Sequence, residues 1–109
     1  MSDRLKTSIW VAALLRRANG AGAFAFLSQK GDADAGAVLV KVYACDEEVS
    51  LYQSAINMSG NRIWLCEGPQ PESNIDQQIV KRLKSDPDLW VVEIEDKKGR
   101  HFLSEHVET

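Results

Sequence analysis

Asp86-Pro87-Asp88-Leu89-Trp90-Val91-Val92-Glu93-Ile94-Glu95-Asp96-Lys97-Lys98-Gly99-Arg100 reads as a helix stop, a strand and a hairpin turn in direct succession. Pro87 lacks an N–H and pushes Asp86 out of the helical region, so the preceding helix ends there. Trp90, Val92 and Ile94 alternate onto one face of an extended segment, and that face is expected to look into the core. Asp96 and Gly99 hold the first and last positions of a type I turn.

Upstream of this stretch, Ser73 with Asp76 three residues on resembles a capping box, and Ile75, Ile79 and Leu83 mark one helical stripe ahead of Pro87. Near the start, Thr7 or Ser8 caps a helix running to Ala18, and Gly20 takes the left-handed position after Asn19. Val11, Leu14, Leu15 and Ala18 form its buried stripe, with Trp10 beside them. Residues 23–29 place Phe24 and Phe26 on one strand face, Ala25 and Leu27 on the other. Residues 31–36 are a turn. In residues 37–43, Val38, Val40 and Val42 alternate against Leu39, Lys41 and Tyr43. Both strands are apolar on nearly both faces, which predicts central places in the sheet. Residues 49–53 and 62–67 make a further pair around Ser59-Gly60-Asn61, and Pro69 and Pro71 then break the chain. Short links between strands favour antiparallel pairing, and helices with one apolar stripe favour packing on a sheet. The expectation is a single α+β domain over residues 1–109. Its antiparallel sheet has about five or six strands with two helices, in the order α-β-β-β-β-α-β-β.

A chain of 109 residues, 44% hydrophobic and 27% charged, has ordinary globular composition. No apolar run approaches the ~20 residues that span a bilayer, so no membrane partner is expected. Arg16 and Arg17 interrupt the apolar segment after the charged N-terminus, which argues against a signal peptide. Cys45 and Cys66 are two isolated thiols, and a cytoplasmic, reduced protein is expected. The net charge of −3 is unevenly spread: residues 1–43 carry a balance of +3, residues 44–109 one of −6. Such polarity suits self-association or anion binding at the basic end. The basic residues in 81–84 and 97–100 sit among carboxylates, so no nucleic-acid partner is expected.

Several constellations compete with plain structural roles. Cys45, Cys66, His101 and His106 supply four soft ligands, but the cysteines are not a close pair, so no metal is expected. Asp32-Ala33-Asp34-Ala35-Gly36 opens like a calcium loop, yet Tyr43 stands where the bidentate Glu belongs. Asp and Gly also suit a tight turn. Glu93 and Glu95 share a strand face roughly 7 Å apart, a spacing open to inverting glycoside chemistry. A solvated face, with Arg100 pairing across the turn, accounts for them equally. Arg16 and Arg17 end the first helix; they complement its dipole or form a fork for an anion or partner. No phosphate loop or nucleophile elbow is present, so no catalytic residue and no cofactor are assigned.

Arg4-Leu5-Lys6-Thr7, Ile9-Trp10-Val11, Leu15-Arg16-Arg17, Gly31-Asp32 with Ala35-Gly36-Ala37, and residues 86–95 with Gly99-Arg100 carry a resemblance. Over nearly its full length the chain resembles the alphaproteobacterial domain-of-unknown-function family numbered 1491. The resemblance implies a small bacterial cytoplasmic protein and supplies no activity, cofactor or site residue. The expected function is a non-enzymatic interaction or regulatory module, in the form of a homodimer or with a protein partner. The alternative is a small enzyme or binding protein acting on an anionic metabolite, with Arg16 and Arg17 as its binding residues.

Overall fold

Val38-Leu39-Val40-Lys41-Val42 is rich in β-branched valine and apolar on both faces but for one lysine, the pattern of a strand covered on both sides. The computed structural model, which describes residues 6–34 and 36–108, places it at the centre of a sheet. Arg4, Leu5 and Ala35 of the family motifs lie outside the described residues. In chain order the elements are α1 (Thr7–Gly20), β1 (Phe24–Gln29), β2 (Val38–Cys45), β3 (Glu48–Ile56), β4 (Arg62–Gln70), α2 (Glu72–Ser85), β5 (Trp90–Glu95) and β6 (Val107–Glu108). The sheet order is β1-β5-β2-β3-β4-β6.

A helix covers each face. On one, Trp10, Val11, Leu14 and Ala18 of α1 pack on Val38, Val40, Val42, Trp90, Val92 and Ile94. On the other, Ile75 and Ile79 of α2 pack on Leu39, Val49, Leu51, Leu89 and Val91. Each aliphatic side chain so buried contributes about 1.5–3 kcal/mol. The helix stop is where Pro87 demands it: α2 ends at Ser85 and Asp86 is extended.

The α+β class and element order hold, but the sheet is mixed. β1/β5, β2/β3 and β3/β4 are antiparallel, whereas β2/β5 and β4/β6 are parallel. Short links predicted that consecutive strands are neighbours, and β1 and β2 are not. α2 carries the chain back across the sheet and inserts β5 between them. β1 is thereby an edge strand, not a central one. With β1 and β2 on its two sides, β5 has no free flank, so the chain does not return along it after the turn. The turn itself forms, with Gly99 N–H donating to the Asp96 carbonyl at 2.8 Å and Gly99 at φ +69°. Arg100 then pairs with Asp96, not with Glu93.

Local signals also shifted. Lys6 stands at the cap of α1 with no side-chain capping bond, and the Thr7 hydroxyl donates to the Gly36 carbonyl. Gly20 stays within α1, and Gly22 takes the positive φ. α2 starts directly after Pro71, so Ser73 and Asp76 form no capping box. β4 continues through Pro69, where β6, paired only with Trp64 and Leu65, leaves the outer edge without a ladder for proline to interrupt.

The outer edge of β1 is blocked at Ala25 by a side chain. The Asn19 side-chain amide accepts from the Ala25 N–H and donates to the Ala25 carbonyl, both at 2.9 Å. One amide thus occupies the outward backbone groups of Ala25 and obstructs edge-to-edge pairing there. The C-terminal segment is fastened across α1. Trp10 and Trp64 stack with centroids 5.2 Å apart, and both indole N–H groups donate to the Glu105 carboxylate, at 3.4 and 3.0 Å.

Candidate functional site

Lys41 is the one charged residue in the central strand's apolar run, and its side chain is only 6% exposed. Strand alternation points it to the α2 side, where an unpaired ammonium would be costly to bury. The first two turns of α2 supply the compensation. Glu72 and Asp76, four residues apart and so on one helix face, accept from Lys41 Nζ at 2.8 and 2.7 Å. Glu93, beside Lys41 in the parallel β2/β5 ladder, adds a carboxylate at 3.6 Å. Burial alone would lower the Lys41 pKa, but the Asp76 and Glu72 hydrogen bonds and the Glu93 charge outweigh it and drive it well above the usual lysine value. An amine held protonated in this way does not serve as a nucleophile or a general base.

Next to it, Tyr43 donates its hydroxyl to Asp46, which pushes the phenol pKa up to about 12. Lys41, Tyr43, Glu72, Glu93, Ile94 and Glu95 line an open cleft of about 270 Å³. Three carboxylates against one ammonium make it acidic before Glu95 is added. Phe24 and Phe26 of β1 lie directly beyond, in register with Glu95 and Glu93, with ring centroids 5.3 Å apart. Phe24 is 60% exposed. α2 packs over β2 and β3, leaving this part of β5 and β1 uncovered.

The arginines singled out in the sequence lie on the opposite side of the sheet and have separate environments. Arg17 Nε and Nη2 both donate to the Phe102 carbonyl, at 3.2 and 2.9 Å, holding a residue whose φ of +62° is rare outside glycine. Arg16 is exposed. Glu93 and Glu95 both line the cleft, but the cation beside Glu93 is Lys41. The soft ligands do not converge. Cys45 lies near Glu48, Cys66 is half-buried on β4, His101 packs edge-on against Tyr52, and His106 is exposed. Both cysteines are free thiols. Among the described residues no three His, Cys, Asp or Glu side chains are grouped to hold a metal ion, and no helix is long and apolar enough to cross a membrane. Asp32 acts as a turn residue, its carboxylate accepting the Asp34 N–H.

The model of the family described as "Protein of unknown function (DUF1491)" matches residues 5–104. The chain belongs to the DUF1491 family. A crystal structure of a DUF1491 family protein from Caulobacter crescentus CB15 is 49% identical, with a TM-score of 0.88, over 96% of this chain and 100% of that one. An NMR structure of a DUF1491 family protein from the same organism, also 49% identical, gives 0.84 over 96% and 97%. The solution structure of Atu0922 from A. tumefaciens, 30% identical, gives 0.81 over 97% and 98%. No curated protein matches the chain. DUF1491 is a family of unknown function, and no enzymatic activity comes with the assignment.

Of this cluster in the DUF1491 protein, the sequence singles out Glu93 alone as a candidate site residue; it does not single out Lys41 or Glu72, and it gives Asp76 a capping role. The signal was present: a lone lysine within a strand apolar on both faces must find an anion, and Glu72 with Asp76 is an i, i+4 acidic pair on the later helix α2.

A second ionic centre holds the turn after β5. Arg100 donates to Asp96 Oδ2 through its N–H and Nε at 2.8 and 2.9 Å, and to Oδ1 through Nη2 at 2.9 Å. These bonds hold the Asp96 carboxyl down at about 2. The folded pKa lies below the ordinary 3.8, so this stabilisation is complete above 3.8 and lost as pH falls towards about 2. Burial likewise lowers the His101 pKa below the usual 6.5, so its protonation opposes folding from that pH downward. Asp96→Asn is expected to flatten the stability–pH curve between pH 3.8 and about 2 while leaving the limb above pH 3.8 in place. Denaturant titrations at stepped pH check this.

Proposed function

We propose that this DUF1491 protein is a non-enzymatic interaction or regulatory module whose contact surface is the uncovered half of the sheet's α2 side. One observation carries the proposal. Phe24 stands exposed, with the half-buried Phe26 next to it, beside an acidic cleft whose single cation is already matched by carboxylates. Exposed aromatic side chains beside unmatched charge are features of recognition surfaces. The one amine of the cleft stays protonated and so is not poised as a nucleophile. The proposal includes a cytoplasmic setting, consistent with two free thiols, a protein partner or homodimer, and no cofactor, metal, nucleic acid or membrane.

The second reading is capture of an anionic metabolite or partner by Arg16 and Arg17. It rests on the exposure of both guanidinium groups at the end of α1 and on the donors Arg17 retains beyond its two bonds to Phe102. Affinity capture from the source cell separates the readings. The Phe24→Ser/Phe26→Ser variant is expected to fold and to lose the proteins that the parent captures. Unchanged capture by that variant, with loss on Arg16→Gln/Arg17→Gln, would reject the first reading and leave the second.

A further inference from the structure

We propose that the uncovered sheet surface is the docking site for a basic amphipathic helix of a partner protein, laid beside α2 with its arginines over Glu93 and Glu95. The proposal rests on the interaction-module reading and names the partner's chemistry.

Strand order sets the size of the vacant place. α2 packs on β2 and β3, and the order β1-β5-β2-β3 puts the midline of β1 and β5 two strand spacings away, about 9.6 Å. Packed helices lie about 8–10 Å apart. One helix beside α2 therefore comes down centrally over β1 and β5. The flank of α2 that it meets has an apolar side chain to offer. Arg82 reaches Glu67 on β4, and Val80, two residues earlier and so on the other side of the helix, overlooks β5 while 54% exposed. Asp76 is on the same flank one turn before Val80.

Register sets the chemistry of the floor. Two rows of side chains cross it: Phe24, Glu95 and Tyr43 in one, Phe26, Glu93 and Lys41 in the other. The rows are about 6.8 Å apart along the strands, close to the rise of about 6 Å between helix residues i and i+4. Two arginines one turn apart on the incoming helix thus reach both glutamates, and apolar residues on its β1 side cover Phe24 and Phe26. Glu93 lies 3.6 Å from Lys41, and Glu95 makes no hydrogen bond or ion pair with the described residues, so both carboxylates keep acceptor positions open. Glu95 stands between Phe24 and Tyr43 in its row, so a guanidinium above it is flanked by two aromatic rings, which favours arginine over lysine. Four carboxylates, those of Glu72, Asp76, Glu93 and Glu95, stand against the single ammonium of Lys41. The basic Lys84 of α2 lies about 12 Å further along the helix than Asp76. That balance selects a cationic partner and repels nucleic acid and anionic lipid.

The probe is a capped synthetic helix of about 18 residues, long enough to be helical alone, with a leucine stripe beside two arginines at i and i+4. Titrated into the isotope-labelled full chain, it is expected to bind, to move the amide signals of residues 24–26 and 93–95, and to weaken as salt rises. Glu93→Gln/Glu95→Gln and Phe24→Ser are each expected to weaken binding by about tenfold or more, with the circular dichroism of the parent. Glutamate in place of the peptide's arginines is expected to abolish it. No binding at millimolar peptide, equal binding of the arginine and glutamate peptides, or indifference to both variants would overturn the proposal. A dimer in light scattering that Phe24→Ser dissolves would overturn it too, because the surface would then belong to a second copy, as would attachment of the same residues to vesicles of anionic lipid. If the peptide fails while Phe24→Ser/Phe26→Ser still loses captured proteins, the basic helix is rejected and the module reading stands.

Discussion

Trp90→Ala is expected to cost about 3–5 kcal/mol, the scale for truncating a buried aromatic and a large share of the roughly 5–15 kcal/mol that holds a domain together. Trp90 is 3% exposed at the start of β5. Its indole N–H donates to the Asp32 carbonyl at 2.7 Å, and its backbone N–H to the Ala37 carbonyl at 2.9 Å. The ring is also what Gly31 and Gly36 accommodate: a Cβ on either would fall 2.7 or 2.8 Å from Trp90 Cδ1 and closer still to the Asp88 carbonyl. Alanine at 90 therefore leaves a void on the α1 side and frees the turn packed over it. Trp90→Phe keeps most of the bulk and loses one hydrogen bond, so about 0.5–1.5 kcal/mol of the loss should remain on that account. Urea unfolding midpoints of the two variants test the ordering. An unshifted midpoint for Trp90→Ala would contradict the burial described.

The second large effect is expected at Lys41. Lys41→Ala leaves Glu72, Asp76 and Glu93 facing one another without their cation. Breaking a fully buried pair costs about 3–5 kcal/mol. Here the carboxylate side chains remain 37%, 53% and 26% exposed, so water screens part of the repulsion and about 1–3 kcal/mol is the scale. If charge is the cause, Lys41→Met with Glu72→Gln and Asp76→Asn should recover most of the loss, because a neutral, well-filled site replaces an ionic one. The pH dependence has a definite sign. The folded pKa of Lys41 lies above its ordinary 10.5, so its contribution is complete below 10.5 and fades only as pH rises through the folded value. The difference between parent and Lys41→Met should therefore be constant from neutral pH to about 10. Circular-dichroism denaturation curves at several pH values check both statements.

Periodicity and breakers are local, and what they encode was legible. The Val11, Leu14, Leu15 and Ala18 stripe, the Ile75, Ile79 and Leu83 stripe, the alternation of Trp90, Val92 and Ile94, and the stop at Pro87 all follow from a few neighbouring residues. Strand order was not legible, because it depends on which slot a distant segment occupies. Placing β5 between β1 and β2 made one ladder parallel, moved β1 to the edge, and denied residues 100–106 a strand to pair with. The candidate site fell with the same error. Glu93 was matched to Arg100 because a hairpin was expected, whereas the parallel neighbour Lys41 lies fifty-two positions away in sequence. The arginine pair was visible as a pair, but the bond from Arg17 to Phe102 spans eighty-five positions and has no local signature.

All three tryptophans, Trp10, Trp64 and Trp90, lie in the core on the α1 side, and none lies on the α2 side. Intrinsic fluorescence of this protein is therefore a one-sided reporter. If α2 lifted from the sheet while α1 stayed docked, indole emission would barely change, although a fourteen-residue helix and the Lys41 cluster had come apart. Emission and far-ultraviolet dichroism would then give different midpoints, the sign of a transition that is not two-state. Leu83→Trp would give the silent half of the molecule a signal of its own.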